Sequence, residues 1–126
     1  MKASKFFLLA PLSVIAFDAV ASTASLALGF PYSYASIGSA VLYITFAYFA
    51  ARMFGFKVAL LLGAVMGITD ATIGWAVSWA IGPGRVPIDL TPSVWFYTAL
   101  FAATLGVIYG LIGGGVSSLI GRRRAV

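Results

Sequence analysis

The chain has 126 residues, of which 62% are hydrophobic and 9% are charged, and its net charge is +5. This composition excludes an ordinary soluble domain, which needs far more charge to cover its surface. Cysteine and histidine are absent, so zinc, haem, iron–sulfur and thiol chemistry lack their usual ligands, and we expect no metal, no cofactor and no enzymatic activity.

Four apolar runs follow one another along the chain, each close to the length that crosses a bilayer. Between the third and fourth, Thr91-Pro92 has the signature of a helix start, with Thr as the N-cap and Pro in the first turn. The sequence therefore predicts an all-α fold, an integral membrane four-helix bundle that forms a single transmembrane domain over residues 1–126. The predicted helices cover about residues 6–28, 34–54, 58–81 and 93–120.

Basic residues cluster at the ends of the runs that share one side of the predicted bundle. Only Arg85 lies on the opposite side, and Asp89 follows it by four residues. This bias predicts cytoplasmic termini in a multi-pass protein of a bacterial-type inner membrane. It also indicates anchoring to an anionic bilayer rather than binding of nucleic acid. The residues on the basic side are Lys2, Lys5, Arg52, Lys57 and Arg122–Arg124.

The first 21 residues also resemble a secretory signal, with Ala19-Val20-Ala21 as the cleavage motif. Cleavage there would remove Asp18 and leave three spans. Because the apolar run continues to Leu28 and an acid stands next to the motif, we expect this helix to be retained.

A shift of 52 residues aligns the first half of the chain with the second. The match predicts two tandem helix hairpins, parallel repeats related by an axis along the membrane normal; a chance match stays as the alternative. Each acid lies 13 residues after its aligned lysine, which is about 20 Å along a helix. The aligned pairs are Lys5 with Lys57, Asp18 with Asp70, and Pro31 with Pro83.

Asp18 and Asp70 are thereby predicted to lie at matching depths inside the membrane, where an ionised carboxylate is costly unless it faces protein or water. Helical spacing places Asp18 on one stripe with Ser22 and Ser25. It places Asp70, with Thr69 nearby, on a second stripe with Gly63, Gly67, Gly74 and Ser78. The predicted ion- or proton-binding residues are Asp18, Asp70, Ser22 and Thr69. The alternative is that both acids only hold helices together through hydrogen bonds.

Small residues recur every four positions on helix 4, a pattern that lets another helix approach closely. Such faces serve either packing within the chain or a seam between copies. Among the aromatic residues, Trp75 follows Asp70 toward the outer end, while Tyr43 belongs to a helix 2 whose aromatic residues are expected to face lipid in part. The predicted packing residues are Gly63, Gly67, Gly74, Ala102, Gly106, Gly110 and Gly114.

The chain resembles small multidrug-resistance transporters in length, number of spans and the acid in helix 1, Asp18, but it lacks their membrane glutamate, and we assign no family. Two functions follow from the residues. The first is a proton- or cation-coupled transporter or channel that uses Asp18 and Asp70. The second is an accessory protein that packs in a larger membrane complex through its glycine faces. The expected partners are the lipid bilayer and either a second copy or another membrane protein.

Overall fold

The computed structural model describes the backbone of residues 2–125 and the side chains of residues 2–121, so the predicted anchors Arg122–Arg124 lie outside the described side chains. Helices are connected by short turns, and no strand occurs among residues 2–125. In chain order the elements are α1 (Ala3–Leu28), a 3₁₀ turn (Tyr32–Tyr34), α2 (Ala35–Phe54), α3 (Phe56–Thr69), a π-helical segment (Asp70–Gly74), α4 (Trp75–Ile81) and α5 (Pro92–Ala125).

Four spans are long and apolar enough to cross a membrane, which indicates a membrane protein. The third of them is continuous and comprises α3, the π segment and α4. The all-α prediction is confirmed. The spans are Ala3–Leu28, Tyr32–Phe54, Phe56–Ile81 and Pro92–Gly121.

The turns are set by local chemistry. Gly29 ends α1 with φ 74°, and Gly55 separates α2 from α3 as a single residue with φ 107°, conformations that L side chains rarely adopt. Pro92 opens α5. The backbone N–H of Val94 donates to Thr91 Oγ1 at 3.4 Å, which is the N-cap that the sequence predicted.

The bundle has two distinct ends. We call the end with both chain termini and the Gly55 turn the terminal end, and the end with the residue 29–31 and 82–91 connections the loop end. α5 packs against α2 and α3, whereas α1 packs against α2, α3 and α4. Within residues 2–125, neither α1 nor α4 approaches the α5 backbone. The bundle is therefore closed at α3 and divided at α4.

The close contact between α3 and α5 depends on glycine. A Cβ atom added to Gly63 would overlap the Gly106 carbonyl oxygen, and one added to Gly106 would overlap that of Gly63. Gly67 has the same relation to Ala102. The backbones thus touch directly, the approach that small residues at four-residue spacing permit.

The rest of the small-residue face of α5 is also covered within the chain. A Cβ on Gly110 would lie 3.2 Å from the Leu60 Cα, and one on Gly114 would lie 2.8 Å from the Phe56 ring. The ladder therefore serves packing within the chain, which is one of the two uses that the sequence left open.

The apolar core fills the terminal half of the bundle. Its members come from the first part of α1, the last part of α2 and the first part of α3, so all lie between the terminal end and the level of Asp70. At Tyr43 and Met66 the core gives way to polar side chains. The buried core residues are Phe6, Ala10, Val14, Tyr43, Ala47, Ala50, Ala59, Leu62 and Met66.

The π segment divides what the sequence predicted as one helical stripe. Gly63 and Gly67 contact α5, but Gly74 and Ser78 contact α1. A π turn contains one residue more than an α turn, so the residues after it are rotated by about the 100° that one α-helical residue occupies. The prediction of a single stripe through all of these residues is therefore wrong.

The two halves of the chain do not pack equivalently. α3 lies closely against α5, but α1 makes only a looser contact with α2. The 52-residue shift offers a reason, because Pro11 and Ile15 stand where the second half has Gly63 and Gly67. Larger side chains keep the backbones of the first hairpin apart. The internal repeat stays a prediction from sequence.

Candidate carboxyl-pair site

The two membrane aspartates meet at Gly74, the last residue of the π segment. The position that a Cβ on Gly74 would occupy lies 3.1 Å from the Asp18 Cγ atom and 3.1 Å from Asp70 Oδ1, and it overlaps Asp18 Oδ2. The carboxyl groups of α1 and of the third span are therefore immediate neighbours, because the residue between them has no side chain. We call Asp18 and Asp70 the carboxyl pair.

Asp18 is almost fully enclosed, with 3% of its surface exposed. Its Oδ1 atom accepts a long hydrogen bond from the Tyr32 hydroxyl at 3.5 Å. Its Oδ2 atom has no hydrogen-bond partner among the described residues, apart from the adjacent Asp70 carboxyl group, which is an acceptor when ionised. A buried oxygen in this position needs a proton or a cation between the two acids.

Asp70 is held from α2. The Tyr43 hydroxyl donates to Asp70 Oδ2 at 2.7 Å and lies 3.2 Å from the Met66 carbonyl oxygen, so its one proton favours the carboxyl group. Tyr43 is itself 3% exposed. The sequence did not single out this residue, because it is one of several aromatic residues on α2. The signal that was available is its depth, which matches that of the acids.

Polar contacts continue from the carboxyl pair toward the loop end. The Ser22 hydroxyl donates to Ser78 Oγ at 2.9 Å, which joins α1 to α4. The Ser25 hydroxyl donates to the Phe30 carbonyl oxygen at 2.8 Å. Thr69, in contrast, donates to Val65 within its own helix at 2.9 Å and does not belong to this cluster.

No basic side chain neutralises the carboxyl pair. The titratable groups that interact with Asp18 are Asp70 and Tyr32, neither of which is basic. The described lysines and Arg52 lie near the terminal end, and the Arg85 side chain donates to the Trp79 carbonyl oxygen in the loop region. The charge of the pair must therefore be balanced from solution.

Asp70 lines two cavities that adjoin each other between α5 and the other helices. The larger has a volume of about 240 Å³, and the smaller about 130 Å³. The larger cavity lies where α4 and α5 diverge. Its walls are Tyr32, Asp70, Ala71, Trp75, Ser78, Thr98, Phe101, Ala102 and Leu105. The smaller one is lined by Ser36, Ser39, Tyr43, Asp70, Ala102, Leu105 and Tyr109.

Trp75 is fixed at the loop-end side of the larger cavity. Its indole N–H donates to the Gly84 carbonyl oxygen at 2.8 Å. Its ring centroid lies 4.9 Å from that of Trp95, at the start of α5. This contact connects α4 to α5 by side chains where their backbones have separated.

The fold and the site define a four-helix bundle of membrane-spanning type with a buried, unneutralised carboxyl pair. No family model matches the chain, and no curated protein or solved structure matches it either. The function is therefore argued from the residues of the site.

Proposed function

We propose that this protein is a proton- or cation-coupled transporter in which Asp18 and Asp70 are the titrating pair. The observation that supports the proposal most strongly is the contact of both carboxyl groups at Gly74 without a basic neighbour. Two carboxylates this close cannot both be ionised at low cost. They exchange a proton for a cation, or one cation for another, when either reaches them.

The distribution of polar and apolar residues favours a transporter over an open channel. The polar cluster and the larger cavity lie between the carboxyl pair and the loop end, while the apolar core fills the terminal half. Access to the pair from one side at a time is the arrangement that alternating access requires.

The proposed location is a bacterial-type inner membrane with both termini in the cytoplasm. Seven of the eight basic residues lie at the terminal end, and this bias supports the orientation. In that orientation the cavity beside Asp70 faces the outer side.

The accessory-protein hypothesis needs glycine faces that are free to meet a partner. Gly63, Gly67 and Gly106 already contact residues of the same chain. This observation favours the transport proposal.

Flux measurements in proteoliposomes test the proposal. We expect wild-type protein to move protons or monovalent cations down an imposed gradient, and Asp18→Asn or Asp70→Asn to reduce that flux to the level of empty liposomes. The amide keeps the shape of the side chain but cannot bind and release a proton.

Asp89→Asn is the matched control. Asp89 is exposed in the loop between α4 and α5, so its removal is expected to leave flux unchanged. Wild-type flux no greater than that of empty liposomes across several cations and pH values would contradict the proposal. So would undiminished flux in both folded aspartate variants.

A further inference from the structure

We propose that the larger cavity binds a small organic cation of the ammonium class, with its charge at Asp70 and its apolar part among the aromatic rings. The inference rests on the proposed transport function and names the chemical class of its substrate.

The lining of the cavity combines one carboxyl group with three aromatic side chains. Asp70 supplies the negative charge, and Tyr32, Trp75 and Phe101 supply ring surfaces from three different elements. Aromatic faces attract cations through their quadrupoles, and the attraction is strongest for ammonium groups that have lost their water. A carboxylate together with several rings is the usual chemistry of quaternary ammonium recognition.

The same lining is poorly suited to an inorganic cation. Small metal ions take six or more oxygen ligands when water is removed, but apart from Asp70 the cavity offers only the hydroxyl groups of Tyr32, Ser78 and Thr98. A neutral apolar ligand would leave Asp70 without a charge partner. An organic ammonium ion satisfies both parts of the surface.

The volume limits the size of the ligand. About 240 Å³ is below the roughly 300 to 1,000 Å³ of sites for drug-sized molecules. The cavity therefore suits one ring or a few alkyl groups around a nitrogen. Phe101 lines the cavity although 66% of its surface is exposed, so the opening lies on an apolar flank of the bundle.

The bound cation would replace a proton. Besides Asp70, the titratable groups around it are Asp18 from α1, Tyr32 from the 3₁₀ turn, Tyr43 from α2 and Tyr109 from α5. All of these are acidic groups, so none can balance the pair with a positive charge. An ammonium ion beside Asp70 removes the need for the shared proton, and we expect one proton to be released for each ion bound.

The experiment uses the full-length protein in detergent and benzyltrimethylammonium as the probe. Titration calorimetry measures its affinity, and a pH indicator in weakly buffered solution measures proton release. The neutral carbon analogue of the probe, with carbon in place of nitrogen, is the matched ligand control. We expect saturable binding of the cation, about one proton released per ion, and no saturable binding of the neutral analogue.

Two variants locate the site. Asp70→Asn is expected to weaken binding about 30-fold or more, and Trp75→Leu about fivefold or more. Phe96→Leu is the control on α5, because Phe96 is exposed to a similar degree as Phe101 (64%) but lines a different cavity. Its affinity is expected to equal that of the wild type.

The inference is overturned if wild-type protein does not bind the probe, if the neutral analogue binds equally well, or if binding releases no proton. These three readouts need no variant, so a variant that fails to fold leaves the test intact. Proton or alkali-cation flux that depends on Asp70 but is unaffected by the probe would overturn this inference and leave the proposed function standing. Absence of any such flux would instead count against the proposed function itself.

Discussion

Gly74 is the residue that allows the two acids to meet. Its missing side chain is the space that Asp18 Oδ2 occupies, and a Cβ there would also lie 3.1 Å from Asp70 Oδ1. Neither carboxyl group can retreat freely, because Asp18 is enclosed and Asp70 is bonded to Tyr43. The geometry of the pair thus depends on a residue without any polar group.

Gly74→Ala is therefore expected to separate the pair. Overpacking a close contact costs about 1 to 3 kcal/mol of stability, and flux should fall because Asp18 is displaced. Equilibrium unfolding in mixed detergent measures the first effect and proteoliposome flux the second. Gly115→Ala is the control, since nothing lies within 4 Å of its added Cβ, and it should be neutral or stabilising by up to about 1 kcal/mol. Equal behaviour of the two variants would contradict the assignment.

Tyr43→Phe tests the support of Asp70 from α2. The variant keeps the ring but removes the O–H that donates at 2.7 Å, which leaves a buried carboxyl oxygen short of a partner and is expected to cost about 1 to 3 kcal/mol. Tyr97→Phe, at an exposed position on α5, should cost little. Unfolding of the two variants under the same conditions gives the comparison, and no difference between them would argue against this role for Tyr43.

At the residue scale the sequence predicted the acids but not their partners. A charge inside an apolar run is visible in the sequence because the bilayer makes it costly, so Asp18 and Asp70 were found. Where a tyrosine hydroxyl points depends on the rotation of its helix against three neighbours, which periodicity alone does not determine. Tyr43 was missed for this reason. Ser22 lies in the polar cluster, whereas the hydroxyl of Thr69 bonds to its own helix.

At the scale of elements, the π segment has the largest effect on the site. It turns α4 away from α5, so the third span faces α5 through Gly63 and Gly67 but faces α1 through Gly74 and Ser78. Helical spacing assumed 3.6 residues per turn throughout and predicted one stripe. A change of one hydrogen-bond register over five residues leaves no mark in composition, so the sequence could not predict it.

A pair of cysteines tests the rotation of α4. Ser22 Oγ and Ser78 Oγ are 2.9 Å apart, and the chain has no cysteine of its own. We expect the double variant Ser22→Cys, Ser78→Cys to form a disulfide on mild oxidation, because the two side chains face each other closely enough for the bond. Intact mass before and after alkylation detects it.

The control pair combines Ser22→Cys with Ala76→Cys, an exposed position on α4. This pair is expected to stay reduced and to react fully with the alkylating agent. A disulfide in the control pair and none in the first pair would mean that α4 has a different rotation from the one described.

At the scale of the whole molecule, the chain is divided into a closed apolar half and a polar half with a cavity. Hydropathy predicted the number and approximate limits of the spans, because each must bury a long apolar stretch. The unequal packing of the two hairpins was not predicted. It depends on which small residues stand opposite one another, as Gly63 and Gly106 do, and a linear sequence does not give that pairing.

The proposed orientation has a direct test in the cysteine-free chain. We expect Ile88→Cys, in the loop between α4 and α5, to react with a membrane-impermeant maleimide in intact cells. Ser4→Cys, at the start of α1, should react only after the membrane is permeabilised. The reason is the excess of basic residues at the terminal end. The reverse labelling pattern would place the termini outside.

The aromatic contact at the loop end gives the molecule a spectroscopic reporter of its own. The chain has three tryptophans, and the Trp75 ring lies 4.9 Å from Trp95 and 6.4 Å from Trp79. All of the tryptophan emission, and much of the near-ultraviolet circular dichroism, therefore originates from one cluster beside the larger cavity. If α5 moves relative to α4 during transport, the coupling between Trp75 and Trp95 changes with it. The unlabelled protein then reports the opening and closing of this half in real time.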